Sequence, residues 1–591
     1  LAWAFACAAC ILVFHDAFAC WFLMDDFAWL GLEQEIASAA NGTGWKLLFE
    51  PRAQGTMRIF SDRLYFWILS SLFGMDPLPF RAAAFAVHFL NLWLLVRIAS
   101  RVTASWIPGA AAAFFFAVAA SAVKPLAWAS AFNQVLAACC MLAAFHLYLG
   151  WLETGGRTKW IAHFLVFLLS FGALESVIVF PAAVTLWTLL YAPGRIRGAL
   201  PQWIPSFLFG AVHLFWIQHP AGTDYAPTFD SGILTGLWLY ASMALSPVLA
   251  ILLLAAAGWR GWRHRDWKPA FFLFWFVLFL SPVLPFQNRL TDYYLFVPST
   301  GLALAAGCLM RDRASIAAGV VALTAFTLIS ARRAQPDIAQ MLARSERIHR
   351  LMDAASQLIE TKGVDTILLS GVDSDLFISA LQDSPFRLLG PIKVFLVPGS
   401  ETSIRSRADL GGVSAYKISL PQAVQVLESP KTAVLSITGD EIFDATARYR
   451  NVAVFQYLQS RPRSVNVGEP GYESLLGPGW WPIEDRFRWT SKSASVTLGG
   501  PQSPNDRLHV SGFCPESVAS GGPVILTVRV NGVEAGKKTL SDVAPFSAAF
   551  ALSQGAMAES VRIEVEVNRV TRLAGDKRDL GLIFGTFAIR P

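Results

Sequence analysis

The chain has 591 residues, 54% of them hydrophobic and 15% charged, with a mean hydropathy of +0.46. That is too apolar for an ordinary soluble protein and too long for one domain. A net charge of +6 is small for this length and gives no support to nucleic acid as a partner, and the seven cysteines form no disulfide framework, since only Cys514 lies outside or away from apolar runs.

The long apolar runs are confined to residues 1–330, and beyond about Ile329 the composition becomes ordinary. The sequence therefore predicts a polytopic α-helical membrane domain, 1–330, followed by a soluble α/β domain, 331–460, and a β-sandwich, 464–591. A span needs roughly 20 apolar residues, and about eleven runs qualify. They are 1–14, 78–98, 106–123, 133–151, 160–174, 177–192, 203–218, 232–257, 269–284, 293–310 and 314–330. Leu1–Phe14 reads as what remains of a spanning helix and not as a signal peptide, because no small-residue cleavage site and polar segment follow it.

Cations orient these runs. Arg97 and Arg101, Arg157 and Lys159, Arg195 and Arg197, Arg260 to Lys268, and Arg311 with Arg313 occupy alternate loops, while the intervening loops hold few, chiefly Lys124 and Arg289. The positive-inside rule makes the cation-rich set cytoplasmic. The long first loop, 15–77, and the residues after 330 are then expected outside.

That loop contains "FHDAFACWFLMDDFAWLG" (14–31), with the adjacent carboxylates Asp25 and Asp26. Its mixture of charges with Trp29, Trp45 and Phe49 predicts short amphipathic helices at the interface. Two readings fit the acid pair: an Asp capping the helix that starts at "DFAWL", or one carboxylate acting as general base while its neighbour fixes position or binds a cation. No cluster has metal-ligand spacing, so a metal-independent base without cofactor is expected.

Five segments in order, "DDFAWL", "RIFSDRLYFWILSSLFGMDPLPFRAAAFAVHFLNLWLL" (58–95), "VKPLAWASAFNQVLAACCMLAAFHLYL" (123–149), "GALESVIVFPAAV" (172–184) and "NRLTDYYLFVPSTGLAL" (288–304), resemble the membrane glycosyltransferases of the C superfamily. The likeness covers about residues 10–310 and is to the protein O-mannosyltransferases and their relatives with tetratricopeptide tails. Leu174 and Asn288 depart from it, standing where that family usually has Lys and Glu.

The resemblance implies many helices around an outward-facing cavity, where a sugar passes from a polyprenyl-phosphate carrier to an acceptor hydroxyl on a glycan, lipid or protein. In a bacterium this places the chain in the inner membrane with its site and C-terminal domains periplasmic. Asp25 or Asp26 would then be the base and stabilise oxocarbenium character, and the departing phosphate would need cations. Arg289 leads those candidates, with Lys124, Arg58 and Arg63 behind it. Glu175 would orient substrate or pair with Arg289. His88 and Asn91 match the family's His-x-x-Asn and serve either a substrate contact or a helix–helix hydrogen bond. The loop 218–232, with His219, Asp224, Tyr225 and Asp230, is a cavity cover or an inert connector. Two other classes remain: a transporter or flippase of a lipid-linked saccharide, and a membrane-anchored glycan-binding protein.

In the soluble part, residues 342–361 read as an amphipathic helix. The runs 365–372, 392–399 and 432–439 read as strands of a partly parallel sheet, each ending in Gly without a phosphate-binding motif, so no catalysis is assigned there. From about Ser464 strict alternation, as in "SVRIEVEVNRV", and the Asn531-Gly532 turn predict a β-sandwich. Trp480, Trp481, Trp489 and Arg488 would be either a sugar-stacking surface or core, with Arg488 and Arg578 paired internally to Asp576 or Asp579.

Overall fold

A computed structural model describes residues 1–39, 43–52, 56–215, 227–405, 412–452, 462–485, 487–553, 556–573 and 575–591. Two compact units emerge. The first comprises Leu1–Asp353, Asp373–Gly390 and Arg405–Gly412, and the second Ala354–Val372, Pro391–Ile404 and Val413–Pro591. The first division falls inside one helix, beyond the junction expected at 330.

The first unit is helical. Over the described residues every predicted apolar run falls largely on helix, but with breaks that composition does not reveal. Among the described residues four helices are long and apolar enough to cross a membrane, and up to six spans result if each of two bent pairs counts as one. Two of the four are α5 (Pro77–Thr103) and α8 (Phe132–Thr154). Asp76 caps α5, accepting from the Leu78 amide at 3.0 Å ahead of Pro77 in the first turn. Gly155 closes α8 in the left-handed conformation. The run 232–257 is two helices, α12 (Gly232–Ala244) and α13 (Pro247–His264), bent by 99°. Pro247 explains the break: a helix rarely continues into the residue before proline, and Ser246 caps the new start. The last run continues without interruption into the expected amphipathic helix as α16 (Arg313–Lys362), 50 residues long. Large apolar side chains such as Leu12, Leu165, Phe207, Leu254 and Val321 are exposed along these helices, as a lipid-facing surface requires.

The expected grouping of cationic loops is visible at one end of this unit. Arg101 donates to the His146 carbonyl at 2.8 Å, Arg195 to the Trp151 carbonyl at 2.7 Å, and Lys268 to the Val102 carbonyl at 2.8 Å. Arg311 bonds both the Thr103 carbonyl and Asp266, which Arg260 also pairs. All lie near the C-terminus of α5. Arg81, near the other end of that helix, bonds the Cys20 and Trp21 carbonyls of the first long loop. At about 1.5 Å per residue the two ends of α5 lie roughly 35–40 Å apart, enough to separate two membrane faces.

The second unit has a sheet of order β2-β1-β3-β4, from β1 (Thr366–Ser370), β2 (Lys393–Leu396), β3 (Thr432–Thr438) and β4 (Glu441–Asp444), with the first three parallel. A helix at Leu420–Glu428, opened by a Ser419/Gln422 capping box, packs Ala423, Val424 and Leu427 on Leu368 and Val434. Further along, two antiparallel sheets share one core, including Val496, Leu526, Ile563, Phe584 and Phe587. Arg488 is buried there, spent on the Val467 and Trp481 carbonyls and on Glu473, so its internal partner is Glu473 and neither expected Asp. Arg578 does pair with Asp576. Trp480 and Trp481 donate to the Ser495 and Asp579 carbonyls.

Candidate active site

The first long loop folds into short helices, α2 (Asp26–Leu30), α3 (Leu32–Ser38) and α4 (Tyr65–Phe73). Asp25 occupies the N-cap position of α2 but makes no capping hydrogen bond, so the capping reading is not realised by its side chain. The adjacent acids have separate surroundings. Asp26 is fully buried and saturated: Oδ1 accepts from the Ser130 amide at 2.7 Å and the Ser130 hydroxyl at 2.6 Å, and Oδ2 from the Leu23 amide at 3.2 Å. Burial pushes its pKa up, against the Arg81 charge and these bonds. Asp26 thereby ties the loop to the residues that open α8.

Asp25 is half-buried, and its Oδ1 has no hydrogen-bond partner among the described residues. Burial, then the charges of Asp26, Asp383 and Asp62, push its carboxyl well above the ordinary range, with a hydrogen bond from Ser130 opposing. The residue before it, Met24, has φ +54°, a left-handed conformation that costs a non-glycine residue roughly 1–3 kcal/mol. A bond from the Met24 amide to the Ser379 carbonyl, 2.6 Å, holds it.

Asp62 lies on a widened turn, Ile59–Leu64, that leads into α4. Its carboxylate accepts from Ser61 at 2.8 Å and faces Arg58 at 3.7 Å, while burial pushes its pKa up to about 6. Arg58 donates through Nε to both oxygens of Glu175, at 3.0 and 2.8 Å. Glu175 thus pairs with Arg58, and not with Arg289 as one expectation had it. Lys124 pairs with Asp292 at 2.5 Å. The Tyr293 ring meets Trp128 edge-on at 5.7 Å and its hydroxyl acts electrostatically on Arg58. The Trp128 indole N–H is buried without a hydrogen-bond partner among the described residues.

Asp25, Asp26, Arg58, Glu175 and Lys124 therefore converge on one end of the helical unit, away from the cationic loops. Arg289 lies nearby, half-buried, its charge and that of Asp292 both felt at the Tyr240 hydroxyl. Arg63 is buried with its guanidinium on the Leu48, Glu50 and Thr56 carbonyls, where it organises the loop. His88 is enclosed between Phe116 and Phe296, neither ring nitrogen hydrogen-bonded among the described residues, while Asn91 donates to the Val135 carbonyl. His219, Asp224 and Tyr225 lie outside the described residues. Asp230 accepts from Gly232 and Gln287. Among the described residues no three His, Cys, Asp or Glu side chains group as metal ligands.

Sequence reasoning assigned no role to Asp62, Ser130, Asp292 or Tyr293, although all four sit in the quoted segments. It had no signal for Asp383 and Arg387. The stretch after β1, including a helix at Ser374–Ser379, belongs to the first unit. There Arg387 donates to Glu35 at 3.1 Å and to the Phe27 and Ala28 carbonyls at 3.1 and 2.9 Å. Burial pushes Asp383 up to about 6, Arg387 opposing.

No family model and no curated protein matches this chain. Among solved structures it is similar to the arabinofuranosyltransferase AftD from Mycobacteria, with 13% identity and TM-score 0.44 over 99% of this chain and 58% of that one. The chain thus spans less than two thirds of that protein's length. It is also similar to the oligosaccharyltransferase of Archaeoglobus fulgidus, with 10% identity and TM-score 0.43 over 97% and 96% of the two chains. ArnT from Cupriavidus metallidurans, solved with undecaprenyl phosphate, shows 13% identity and TM-score 0.39 over 73% and 92%.

Proposed function

We propose that this chain is an inverting glycosyltransferase that moves a sugar from a polyprenyl-phosphate carrier to an acceptor hydroxyl, on the membrane face opposite its cationic loops. By the positive-inside rule that face is non-cytosolic, periplasmic in a bacterium. The observation that carries the reading is Asp25: a half-buried carboxylate with one oxygen that has no hydrogen-bond partner among the described residues, in the same helical unit as the Arg58–Glu175 and Lys124–Asp292 ion pairs. An elevated pKa makes it a stronger base than an ordinary Asp.

In the proposed step Asp25 takes the acceptor's proton as the hydroxyl oxygen attacks the anomeric carbon. The bond from that carbon to phosphate oxygen breaks with its electron pair, releasing the polyprenyl phosphate as a dianion. Attack from the face opposite the phosphate inverts the centre. Arg58 and Lys124 would receive the departing phosphate, which would compete with Glu175 and Asp292 for them. Asp62, beside Arg58, adds negative charge that favours an oxocarbenium-like centre.

The test is mass spectrometry of lipid that copurifies with the protein, then transfer from that lipid by wild type and Asp25→Asn. Polyprenyl phosphate or its glycosyl ester should copurify with both, and turnover should fall by about 10²–10⁴ in the variant. Unaltered transfer by Asp25→Asn, or the absence of any polyprenyl lipid, overturns the proposal.

A further inference from the structure

The second unit contains a polar crevice that the transfer chemistry does not use. Its sheet runs β2-β1-β3, so the strand order reverses at β1: the chain moves to β2 on one side, then returns past β1 to β3 on the other. A reversal of this kind leaves space outside the carboxyl ends of β1 and β3, and the residues that line it all belong to the second unit. Open α/β sheets bind ligands at such a reversal. A cavity of about 460 Å³ lies there, within the range of small-molecule sites.

The local sequence opens this space. The chain leaves β1 at Gly371, with φ +77°, where a Cβ would come within 2.0 Å of the Ile437 carbonyl, so only glycine lets β1 end so close to β3. After β2 it turns at Gly399, φ +89°, where nothing lies within 4 Å of a would-be Cβ. The crevice wall is mixed. Ser370 and Tyr449 share a hydroxyl–hydroxyl bond of 2.5 Å, and the Ser436 hydroxyl has no partner among the described residues. Leu420 and the half-exposed ring of Phe443 supply apolar surface.

Charge selects the ligand. Arg448 lines the cavity with no ion pair or hydrogen bond among the described residues. The acids near it are already engaged: Asp444 with Lys362 and Thr446, and Glu401 with the Gly399 amide. A lone guanidinium over a floor of hydroxyls, flanked by aromatic rings, is suited to a small polyol that carries an acid group.

We infer that this crevice is a binding site for an anionic saccharide unit, a sugar acid or sugar phosphate, recognised by Arg448 through its acid group and by Ser370, Ser436 and Tyr449 through its hydroxyls. The inference does not depend on the proposed transfer reaction. Titration calorimetry of the full chain in detergent tests it, with glucuronate, glucose 1-phosphate and glucose as probes. At least one of the two anions should bind at least tenfold tighter than glucose, and which one does so separates carboxylate from phosphate recognition. Arg448→Gln should weaken that binding at least tenfold and Ser436→Ala two- to fivefold, with unfolding temperature unchanged because neither side chain has a partner to lose. Asp25→Asn should leave it unaltered, which keeps this site distinct from the transfer site. Equal affinity for glucose and both anions, no binding at 10 mM, or full affinity in Arg448→Gln overturns the inference.

Discussion

The same substitution at two adjacent positions should have opposite effects on stability. Asp26→Asn preserves shape but leaves one oxygen to accept where the carboxylate had two. With that oxygen toward Ser130, two bonds survive and the amide N–H₂ faces the Leu23 N–H; turned over, it loses both Ser130 bonds. A hydrogen bond to a charged acceptor contributes about 1.5–3 kcal/mol, and Arg81 also loses its nearby negative charge, so the better rotamer costs about 2–4 kcal/mol. Asp25→Asn instead removes a charge that has an unpartnered oxygen and three acidic neighbours. A carboxyl with a raised folded pKa stabilises the native state below its unfolded value of about 4 and withdraws that stabilisation as pH rises. Neutralising Asp25 is therefore neutral or stabilising at pH 7, while turnover is lost. Thermal unfolding in detergent at pH 7 should rank Asp25→Asn at or above wild type and Asp26→Asn clearly below. An Asp26→Asn protein as stable as wild type, or an Asp25→Asn protein that is less stable, would refute the assignment of separate roles.

Asp62, with its pKa near 6, should contribute stability below about pH 4 that is lost as pH rises to about 6, roughly 3 kcal/mol in all; Asp62→Asn should flatten that slope in denaturant titrations across the window. Lys124→Gln should raise KM for the lipid donor about tenfold with stability within about 1 kcal/mol of wild type, since the Lys124–Asp292 pair is partly exposed; an unchanged KM would remove Lys124 from phosphate recognition. Arg387→Ala should lower kcat about tenfold with little change in donor binding, because it frees the Phe27 and Ala28 carbonyls beside the acid pair. Arg387→Lys should rescue only in part, since an ammonium lacks the fork that reaches Glu35 and both carbonyls at once.

What was legible in the sequence is what lipid makes expensive. Apolar runs, cations gathered in alternate loops and two adjacent acids stand out because a hydrocarbon solvent tolerates few charges. Helix continuity was less legible: periodicity does not show that α12 and α13 meet at 99°, nor that α16 runs unbroken through residue 330. Pairing was least legible. Asp26 is saturated by a serine 104 positions away, Glu175 meets an arginine 117 positions away, and Arg387 reaches Glu35 across 352. A charge found in a loop by composition says nothing of whether a carbonyl or a carboxylate consumes it, which is why Arg63 looked like Arg58.

The separation of the two acids also explains why both are there. An unpaired, half-buried carboxylate is unstable in place; left to itself the loop would turn it to water or to the nearest donor. Asp26 prevents this by fixing the backbone one residue away with three hydrogen bonds, and the Met24–Ser379 bond fixes it from the other side in a conformation the chain would otherwise avoid. Asp25 is then held in place with one oxygen that has no partner among the described residues. A single acid in this turn would be either satisfied and inert or free and misplaced, so a reactive carboxylate at this position requires a second one beside it that is not reactive.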